Sequence, residues 1–299
     1  MTKVLITGAT GYIGRQLVKQ ITEQEPQASI LTLNRDVQKA QVLMPYKQCI
    51  HKDVFDQASI HDFSPDLVIH LATLSTSRAD SEIITPMLNA NINYGVWLLN
   101  ELSQIKTSNP ITFVNVGSFA EYRMGVSNGF RPAYLYSATK TAFRHILTYY
   151  QDTIPLKVIT AVLYTIYGGK DTQKKLIDYI LESVNSEKPV DMTQGEQVLD
   201  FIHLSDVVQF FVNIVKSPQA LTEGEYHIGT SKGTNIRAVA DTIQQIIGRP
   251  LNIHWGGRDY RPLDVMNAIA PQNKELEKFW KPKVSLTQGI LSLIKDTDK

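Results

Sequence analysis

The stretch VLITGATGYIG, residues 4–14, decides the fold of this chain. A short apolar run leads into Gly8, Gly11 and Gly14, and a helix-forming sequence follows directly. Glycines at this spacing allow a tight turn and let backbone N–H groups approach phosphates at the start of a helix. Because the pattern begins at residue 8, directly after a predicted strand, it indicates a loop that binds the pyrophosphate of a dinucleotide rather than a purely structural turn.

The first two hundred residues alternate short β-rich runs with longer amphipathic segments. Short apolar strands separated by helices indicate a parallel sheet that is covered on both faces. We therefore predict an α/β fold, a doubly wound parallel sheet of the Rossmann type. The predicted strands are Lys3–Thr7, Ile30–Asn34, Gln48–His51, Leu67–Leu71, Thr112–Val116 and Lys157–Val162, and the clearest predicted helices are Tyr12–Glu23, Ser81–Lys106 and Tyr134–Asp152.

Beyond about residue 165 the alternation loosens, and Gly, Pro and charged residues become denser. The segments DFIHL (200–204) and EYHIG (225–229) predict strands that rejoin the sheet. The sequence therefore predicts a dinucleotide-binding domain over residues 1–167 and 201–235. A smaller C-terminal lobe for the substrate is expected over residues 168–200 and 236–299.

Composition excludes several classes of protein. The chain is 43% hydrophobic and 20% charged, with a formal net charge of +1, so no global field attracts nucleic acid or an anionic membrane. Cys49 is the only cysteine, which excludes an internal disulfide and a multi-cysteine metal site, and no metal is predicted. The N-terminal apolar run is too short for a signal peptide, and no segment approaches the ~20 apolar residues of a membrane span. We expect a cytoplasmic protein.

The end of the second predicted strand, LTLNRD, bears on the choice of dinucleotide. NAD sites of this kind usually carry an acid there, whereas this chain has Arg35, and Arg15 follows the last loop glycine. Two guanidinium groups suit a 2′-phosphate, so the sequence favours NADP(H) over NAD. Asp36 leaves NAD open, because its carboxylate could turn inward to the ribose. Asp53, after the third strand, is either an adenine contact or a solvated loop acid.

Further motifs along the chain resemble the extended short-chain dehydrogenase/reductase family, especially its nucleotide-sugar members. HLAT (70–73) resembles the cofactor loop after strand four, and NANIN (89–93) supplies a helix asparagine. NVGSFAEY (115–122) resembles the segment with the catalytic Ser or Thr, and YSATK (136–140) the segment with the catalytic Tyr and Lys. The resemblance implies that Ser118, Tyr136 and Lys140 are catalytic. It implies cofactor contacts from Gly8, Thr10, Gly11, Tyr12, Ile13, Gly14, Arg15, Asn34, Arg35, Asp53, Val54, Leu71, Ala72, Thr73, Asn91, Tyr136, Lys140 and Tyr164, and substrate contacts from Ser75, Ser118, Phe119, Lys175 and Arg261.

The chemistry of carbonyl reduction needs these residue types. Tyr136 and Lys140, at i and i+4, share one face of a helix. The lysine ammonium and the positive charge of an oxidised nicotinamide both favour tyrosinate, which lowers the pKa of the phenol toward the working range. Tyr136 can then give its proton to a carbonyl oxygen while the nicotinamide delivers hydride to the carbon. Ser118 would hydrogen-bond the same oxygen.

Several reactions share this trio of residues. The 4,6-dehydratases of the family carry an acidic pair after the Ser or Thr, whereas this chain has Phe119 and Ala120, which disfavours dehydration. Sugar 4-epimerases with bound NAD prefer an acid after strand two, and Arg35 argues against them without excluding them. The chain is most similar to the 4-ketoreductases of deoxysugar biosynthesis, which act on dTDP- or CDP-linked 4-keto-6-deoxyhexoses for surface polysaccharides such as the O-antigen of lipopolysaccharide. The alternative of another class is a non-catalytic NADP(H)-binding regulatory protein.

Three later segments resemble the family's nucleotide-sugar site. GEQVLDFIHLSD (195–206) has Leu199 where many members have arginine, and GGRDYRPLDVM (256–266) supplies Arg261, with Arg258 less clearly matched. YGGKDTQKKL (167–176) brings Lys174 and Lys175 beside the cleft, or else begins a solvated helix. The resemblance also implies a homodimer through the helices at 81–106 and 134–152. The apolar residues at helical spacing in FRHILTYY fit either that interface or the core, namely Phe143, Ile146, Leu147 and Tyr150.

Overall fold

The computed structural model describes residues 2–169, 171 and 173–297. Its strands are β1 (Lys3–Thr7), β2 (Ser29–Asn34), β3 (Cys49–Asp53), β4 (Leu67–His70), β5 (Ile111–Ser118), β6 (Leu156–Leu163), β7 (Thr165–Tyr167), β8 (Val190–Met192), β9 (Val198–His203), β10 (Gly224–Ile228), β11 (Gly233–Asn235), β12 (Ile253–Trp255) and β13 (Asn267–Ala268). Its α-helices are α1 (Tyr12–Gln24), α2 (Val37–Leu43), α3 (Gln57–Phe63), α4 (Ser81–Leu88), α5 (Tyr94–Ser103), α6 (Leu135–Thr153), α7 (Leu176–Ser183), α8 (Leu204–Lys216), α9 (Ile236–Ile247), α10 (Lys274–Phe279) and α11 (Leu286–Thr297).

A seven-stranded sheet forms the centre of the molecule, in the order β10-β6-β5-β4-β1-β2-β3. Every neighbouring pair in it is parallel. The strand order reverses direction between β1 and β4, so a crevice opens there at the carboxyl ends of the strands, where open α/β sheets bind ligands. The predicted doubly wound α/β fold is confirmed, and the predicted strands β1 to β6 differ from the observed ones by no more than two residues at either end.

Helices bury both faces of this sheet. Val4 and Ile6 of β1 belong to one core cluster, which α1 and α8 cover, while Leu5 points to the opposite cluster beneath α5 and α6. All three side chains are fully buried. This alternation follows from the period of two along a strand, and it explains why the central strands are mostly apolar on both faces.

The interpretation of DFIHL as a strand of the main sheet is wrong. It forms β9, which pairs with β7, β11 and β13 in a separate four-stranded sheet. Only the second segment, β10, joins the main sheet, beside β6. An apolar run that is buried on both sides is compatible with either sheet. The sheet that β9 joins is determined by strands that are distant from it in the sequence. The division of the chain into two lobes at the predicted boundaries stays a prediction.

The predicted helix over 81–106 is interrupted. It consists of α4, a π-helical turn at Asn89–Asn93, and α5, which ends at Ser103. On α6, Phe143 and Leu147 are buried in the core, and Ile146 and Tyr150 pack partly buried against the same cluster. These four residues therefore belong to the core, and the predicted homodimer has no support from them. In the part of the chain that is described, no helix has the length and apolar character to cross a membrane.

Candidate active site

The glycine loop forms a cradle with no room for side chains. Gly8 has a φ of +68°, and a Cβ atom there would lie 2.7 Å from the backbone nitrogen of Ala72. A Cβ on Gly14 would lie 2.3 Å from the carbonyl oxygen of Gly8. Helix α1 begins after Gly11 without a side-chain cap, so its first N–H groups face the loop. The cradle fits the pyrophosphate of a dinucleotide, which the helix N-terminus would hold through the N–H groups of Tyr12, Ile13 and Gly14. The N–H groups of Gly11 and Arg15 already donate to the carbonyls of Gly8 and Gly11.

The end of β2 presents a mixed polar surface for the adenosine half. Asn34 is buried, and its Nδ2 donates to the carbonyl and the hydroxyl of Thr32, at 2.9 and 2.8 Å. Its Oδ1 is buried and accepts no hydrogen bond from the described residues, so an acceptor remains for a ligand hydroxyl. Asp36 accepts the N–H of Lys39 at 2.9 Å and so caps α2. The carboxylate that could bind the ribose of NAD is therefore engaged in a helix cap. Arg35 is exposed beside it.

After β3, the carboxylate of Asp53 accepts the N–H of Phe55 at 3.0 Å, and Val54 is half-buried. Both lie at the carboxyl edge of the sheet, where an adenine contact was predicted. The loop after β4 is tied back to β1, because the N–H groups of Leu71 and Ala72 donate to the carbonyl and the hydroxyl of Thr7, each at 3.2 Å. These residues line the crevice beside the glycine loop.

Asn91 holds three parts of the site together. Its Oδ1 accepts the hydroxyl of Thr73 at 2.9 Å and the N–H of Leu74 at 2.7 Å. Its Nδ2 donates to the hydroxyl of Thr139 on α6 at 2.9 Å, and to the carbonyl of Leu74 at 3.2 Å. Because its amide is fully engaged with protein, Asn91 orients the loop after β4 relative to α6. Its direct contact with a cofactor stays a prediction.

The predicted catalytic residues come together at the carboxyl end of β5 and the start of α6. Lys140 is only 4% exposed, and its Nζ lies 6.0 Å from the centre of the Tyr136 ring. Burial raises the pKa of Tyr136 to about 12, and the charge of Glu121 adds to that rise. Hydrogen bonds from Ser75, Thr73 and Ser118 act in the opposite direction on the same phenol. Burial lowers the pKa of Lys140 to about 8.

The turn after β5 carries the serine and an aromatic neighbour. The Oγ of Ser118 accepts the N–H of Ala120 at 3.3 Å and so caps a 3₁₀ turn over Phe119–Glu121. The half-buried ring of Phe119 stacks on Tyr164, with ring centres 5.8 Å apart. The hydroxyl of Tyr164, predicted to contact cofactor, is paired with Nδ1 of His227 at 3.0 Å. The two positions after Ser118, which carry acids in the dehydratases, hold Phe119 and Ala120 in this chain and so provide no carboxylate.

The predicted substrate cations lie in different surroundings. The Nζ of Lys175 is 4.4 Å from the centre of the Tyr12 ring and 3.0 Å from Asp171, so it stands beside the glycine loop. Lys174 is exposed and pairs with Glu182 at 2.8 Å, as expected of a solvated helix start. Leu199 is buried in the core of the second sheet.

Arg261 lies close to the start of the catalytic helix. Its guanidinium group is 5.9 Å from the centre of the Tyr134 ring, two residues before Tyr136, and its side chain is 56% exposed. Asp264, 3.7 Å from the guanidinium, accepts the hydroxyl of Tyr134 and so fastens this segment to α6. Arg258 is exposed on the same segment.

Sequence reasoning missed the fully buried carboxylate of Glu121 and its partner Arg144 on α6. The only local signal was that both are charged residues close in sequence to Ser118 and Lys140. Among the described residues, no group of three or more His, Cys, Asp and Glu side chains could hold a metal ion.

Comparisons with known proteins agree with this architecture. The model of the NAD dependent epimerase/dehydratase family matches residues 4–229. The chain is 27% identical to a CDP-abequose synthase of Salmonella typhimurium, over 98% of this chain and 97% of that protein. It is 24% identical to a dTDP-4-dehydro-6-deoxyglucose reductase of Escherichia coli, over 98% and 96%.

Solved structures show the same fold. The UDP-glucuronic acid 4-epimerase of Bacillus cereus, in complex with UDP-glucuronic acid and NAD, superposes with a TM-score of 0.85 at 18% identity, over 98% of both chains. The UDP-glucose 4-epimerase of Thermus thermophilus, in complex with NAD, gives 0.81 at 22%, again over 98% of both. With its family model matched over most of its length, the chain belongs to the NAD dependent epimerase/dehydratase family, and it is an oxidoreductase of the extended short-chain dehydrogenase/reductase type.

Proposed function

We propose that this protein uses NADPH to reduce the 4-keto group of a nucleotide-linked 4-keto-6-deoxyhexose. The substrate would carry dTDP or CDP, and the sugar (or its 3,6-dideoxy form) would serve deoxysugar and surface-polysaccharide biosynthesis. One observation carries the proposal: the hydroxyls of Ser118 and Ser75 hydrogen-bond the phenol of Tyr136, where β5 ends and α6 begins. Lys140 lies buried beneath that phenol.

The residues act on the carbonyl oxygen. Tyr136 donates its proton to that oxygen, and Ser118 donates a hydrogen bond that holds the carbonyl and stabilises the developing negative charge. Lys140 is positively charged below about pH 8 and stabilises the tyrosinate that remains. The glycine cradle would hold the pyrophosphate of the reduced dinucleotide, whose nicotinamide would supply the hydride.

The same geometry argues against dehydration. Elimination of water needs an acid and a base beside the sugar, and the corresponding positions hold Phe119 and Ala120. The next acid along the chain, Glu121, is fully buried and bound to Arg144, so it is not available to a substrate.

The nucleotide-sugar substrate is supported by the relatives and by charge. The names of two relatives refer to CDP-abequose and to a dTDP-4-dehydro-6-deoxyglucose. Arg261 offers an exposed guanidinium group next to the start of α6, and Lys175 offers an ammonium group beside the glycine loop. A diphosphate linked to a sugar matches such cations, whereas a small ketone has no charge for them to bind.

The preference for NADPH rests on the end of β2. Arg35 is exposed and Asp36 caps α2, which leaves a cation rather than an acid for the adenosine ribose. NAD is the alternative, because Asp36 could exchange its cap for a ribose hydroxyl. A 4-epimerase with tightly bound NAD is the corresponding alternative activity. We further propose a cytoplasmic homodimer whose substrate lobe comprises residues 168–200 and 236–299.

The experiment is to mix the purified protein with NADPH and, in turn, dTDP-, CDP-, GDP- and UDP-linked 4-keto-6-deoxy sugars. Loss of the absorbance of the reduced cofactor is expected with the dTDP or CDP compound. NADH is the parallel arm and should react more slowly. No oxidation of either cofactor with any sugar would contradict the proposed reduction.

A further inference from the structure

A buried ionic contact joins the Ser118 turn to the catalytic helix. Glu121 has no exposed surface, and its Oε1 accepts the backbone N–H of Ser118 at 2.8 Å. Arg144, one turn beyond Lys140 on α6, donates Nε to Oε2 at 2.7 Å and Nη2 to Oε1 at 3.1 Å. The hydroxyl of Thr141 also contacts Oε2, at 3.3 Å. The carboxylate thus bridges the end of β5 and the helix with paired, charge-assisted hydrogen bonds.

The contact continues to the edge strand of the sheet. The Nη1 of Arg144 binds the carboxylate of Glu225 on β10, which also accepts the hydroxyl of Tyr122. Although burial opposes it, hydrogen bonds from His227 and Tyr122 and the charge of Arg144 lower the pKa of Glu225 to about 2. His227, 2.7 Å from that carboxylate, pairs through its other nitrogen with Tyr164. Since Tyr164 stacks on Phe119, the network returns to the residue next to Ser118.

Stability alone gives a weak reason for this arrangement. Removing ions from water carries a large desolvation penalty, and apolar residues of similar volume often stabilise a fold as well or better. The pair is instead packed tightly against the reacting part of the molecule. A Cβ atom on Gly117 would lie 2.5 Å from Nη2 of Arg144 and 2.8 Å from Oε1 of Glu121. The ion pair therefore packs directly against the backbone before Ser118, with no room for a side chain between them.

We propose that Glu121 is a positioning residue which, with Arg144, holds the Ser118 turn against the catalytic helix and balances the charge around the active site. This role rests on the proposed function for its kinetic consequence, but its electrostatic consequence does not depend on the substrate. Glu121 touches neither substrate nor cofactor in this scheme and acts through Ser118 and Lys140.

The charge balance has a defined sign. The carboxylate of Glu121 raises the pKa of Lys140, while the guanidinium of Arg144 lowers it. Loss of the carboxylate alone should therefore lower the pKa of Lys140, and loss of the guanidinium alone should raise it. Loss of both should return it toward the wild-type value. The pair faces several charged or titratable side chains, namely Tyr136 and Lys140 on α6, Tyr122 after the turn, Glu225 and His227 on β10, and Tyr164 after β6.

The first experiment is an NMR titration of lysine side chains labelled with ¹³C next to the ammonium group. A Lys140→Met variant assigns the signal of Lys140. We expect a downward shift of the Lys140 pKa in Glu121→Gln, an upward shift in Arg144→Met, and a value near wild type in the double variant. Glu223→Gln, at an exposed position two residues before Glu225, is the matched control and should leave the titration of Lys140 unchanged.

The second experiment measures turnover of the 4-keto sugar by the same proteins. Glu121→Gln should lower kcat by about ten- to a hundred-fold, the effect of displacing a reacting group by about 1 Å, while KM stays within a few-fold. Thermal melts accompany each variant. If Glu121→Gln alone does not fold, the variant with both substitutions is compared with Arg144→Met. The difference in kcat between these two proteins then gives the effect of the Glu121 carboxylate.

The outcomes separate the two proposals. A Lys140 pKa that is the same in all folded variants would overturn the positioning role, whatever the activity. A wild-type protein that reduces no keto sugar would overturn the proposed function, while the titration would still decide the role of Glu121. Shifts of the expected signs together with an unchanged kcat would also overturn the positioning role.

Discussion

Arg261→Ala removes the guanidinium group that we propose as the anchor of the substrate's diphosphate. The substitution should leave the fold intact. Arg261 is 56% exposed, and its contact with the largely buried carboxylate of Asp264 is long, at 3.7 Å. The backbone N–H of residue 261 donates to Asp264 at 3.0 Å, and alanine retains it. The hydroxyl of Tyr134 also continues to hold that carboxylate.

The loss in substrate binding should be larger than the loss in stability. One hydrogen bond to a charged group contributes about 1.5–3 kcal/mol, which corresponds to about a ten- to hundred-fold rise in KM. The rate at saturation should fall less, because the contact is made equally in the ground state and the transition state. Affinity for NADPH should hardly change, since the cofactor phosphates are assigned to the glycine loop.

Steady-state kinetics with the reacting nucleotide sugar measure these constants. Arg258→Ala, on the same segment, is the matched control and should raise KM by no more than a few-fold. Inhibition by the free nucleoside diphosphate gives an independent reading, and it should weaken in Arg261→Ala by the same factor as KM. Equal effects of both substitutions, or a wild type that no nucleoside diphosphate inhibits, would refute the reasoning.

Four other expectations concern the cofactor, the chemistry and the assembly. Arg35→Ala should weaken NADPH by about 1.5–3 kcal/mol and NADH hardly at all, as calorimetry would show; equal losses would remove Arg35 from the phosphate site. Tyr136→Phe should lower kcat by about 10²–10⁴ with cofactor affinity within a few-fold, and retention of more than about a tenth of the rate would exclude Tyr136 as the acid. Because the pKa of Lys140 is about 8, its charge is present below that pH and lost above it, so the reduction rate should fall as pH rises past about 8. A flat profile there would contradict this role. Light scattering should give about twice the chain mass of 33.6 kDa, and a monomer mass at every concentration would contradict the dimer.

The parts of the fold that the sequence predicts well are those with local causes. The glycine loop is determined by Gly8, Gly11 and Gly14 themselves, and the central strands by apolar runs buried on both faces. Ser118 and the Tyr136–Lys140 pair are predicted to be catalytic because their spacing and neighbours match a family pattern. In each case the information lies within a short stretch of the chain.

The parts that escaped prediction depend on partners far away in the sequence. The prediction places strand β9 in the wrong sheet, because its apolar run is compatible with either sheet. Its pairing with β7, β11 and β13 determines which sheet it joins. The role of Asn91 depends on Thr139, 48 residues away. Glu121 and Arg144 look like ordinary charged residues in sequence, and Glu225, their third partner, lies 81 residues beyond Arg144.

The π-helical turn at residues 89–93 shows the same limit. The sequence predicts one continuous helix there, since helical propensity does not distinguish an α-helical turn from a π-helical one. The turn includes Asn91, whose side chain binds both the loop after β4 and helix α6. Such turns are frequent at functional sites, and only the assembled structure shows why this one exists.

The most direct test of the account follows the transferred hydrogen. The protein is incubated with the 4-keto nucleotide sugar and NADPH that carries deuterium at the transferable position, and the product is examined by NMR and mass spectrometry. We expect one deuterium at C4 of the sugar for each NADPH oxidised, and transfer that is slower by about 10²–10⁴ when Tyr136→Phe replaces the wild type. A parallel incubation contains the corresponding 4-hydroxy nucleotide sugar. Its conversion to the C4 epimer, with no net oxidation of NADPH and no deuterium in either product, would contradict the proposed reduction and establish an epimerase.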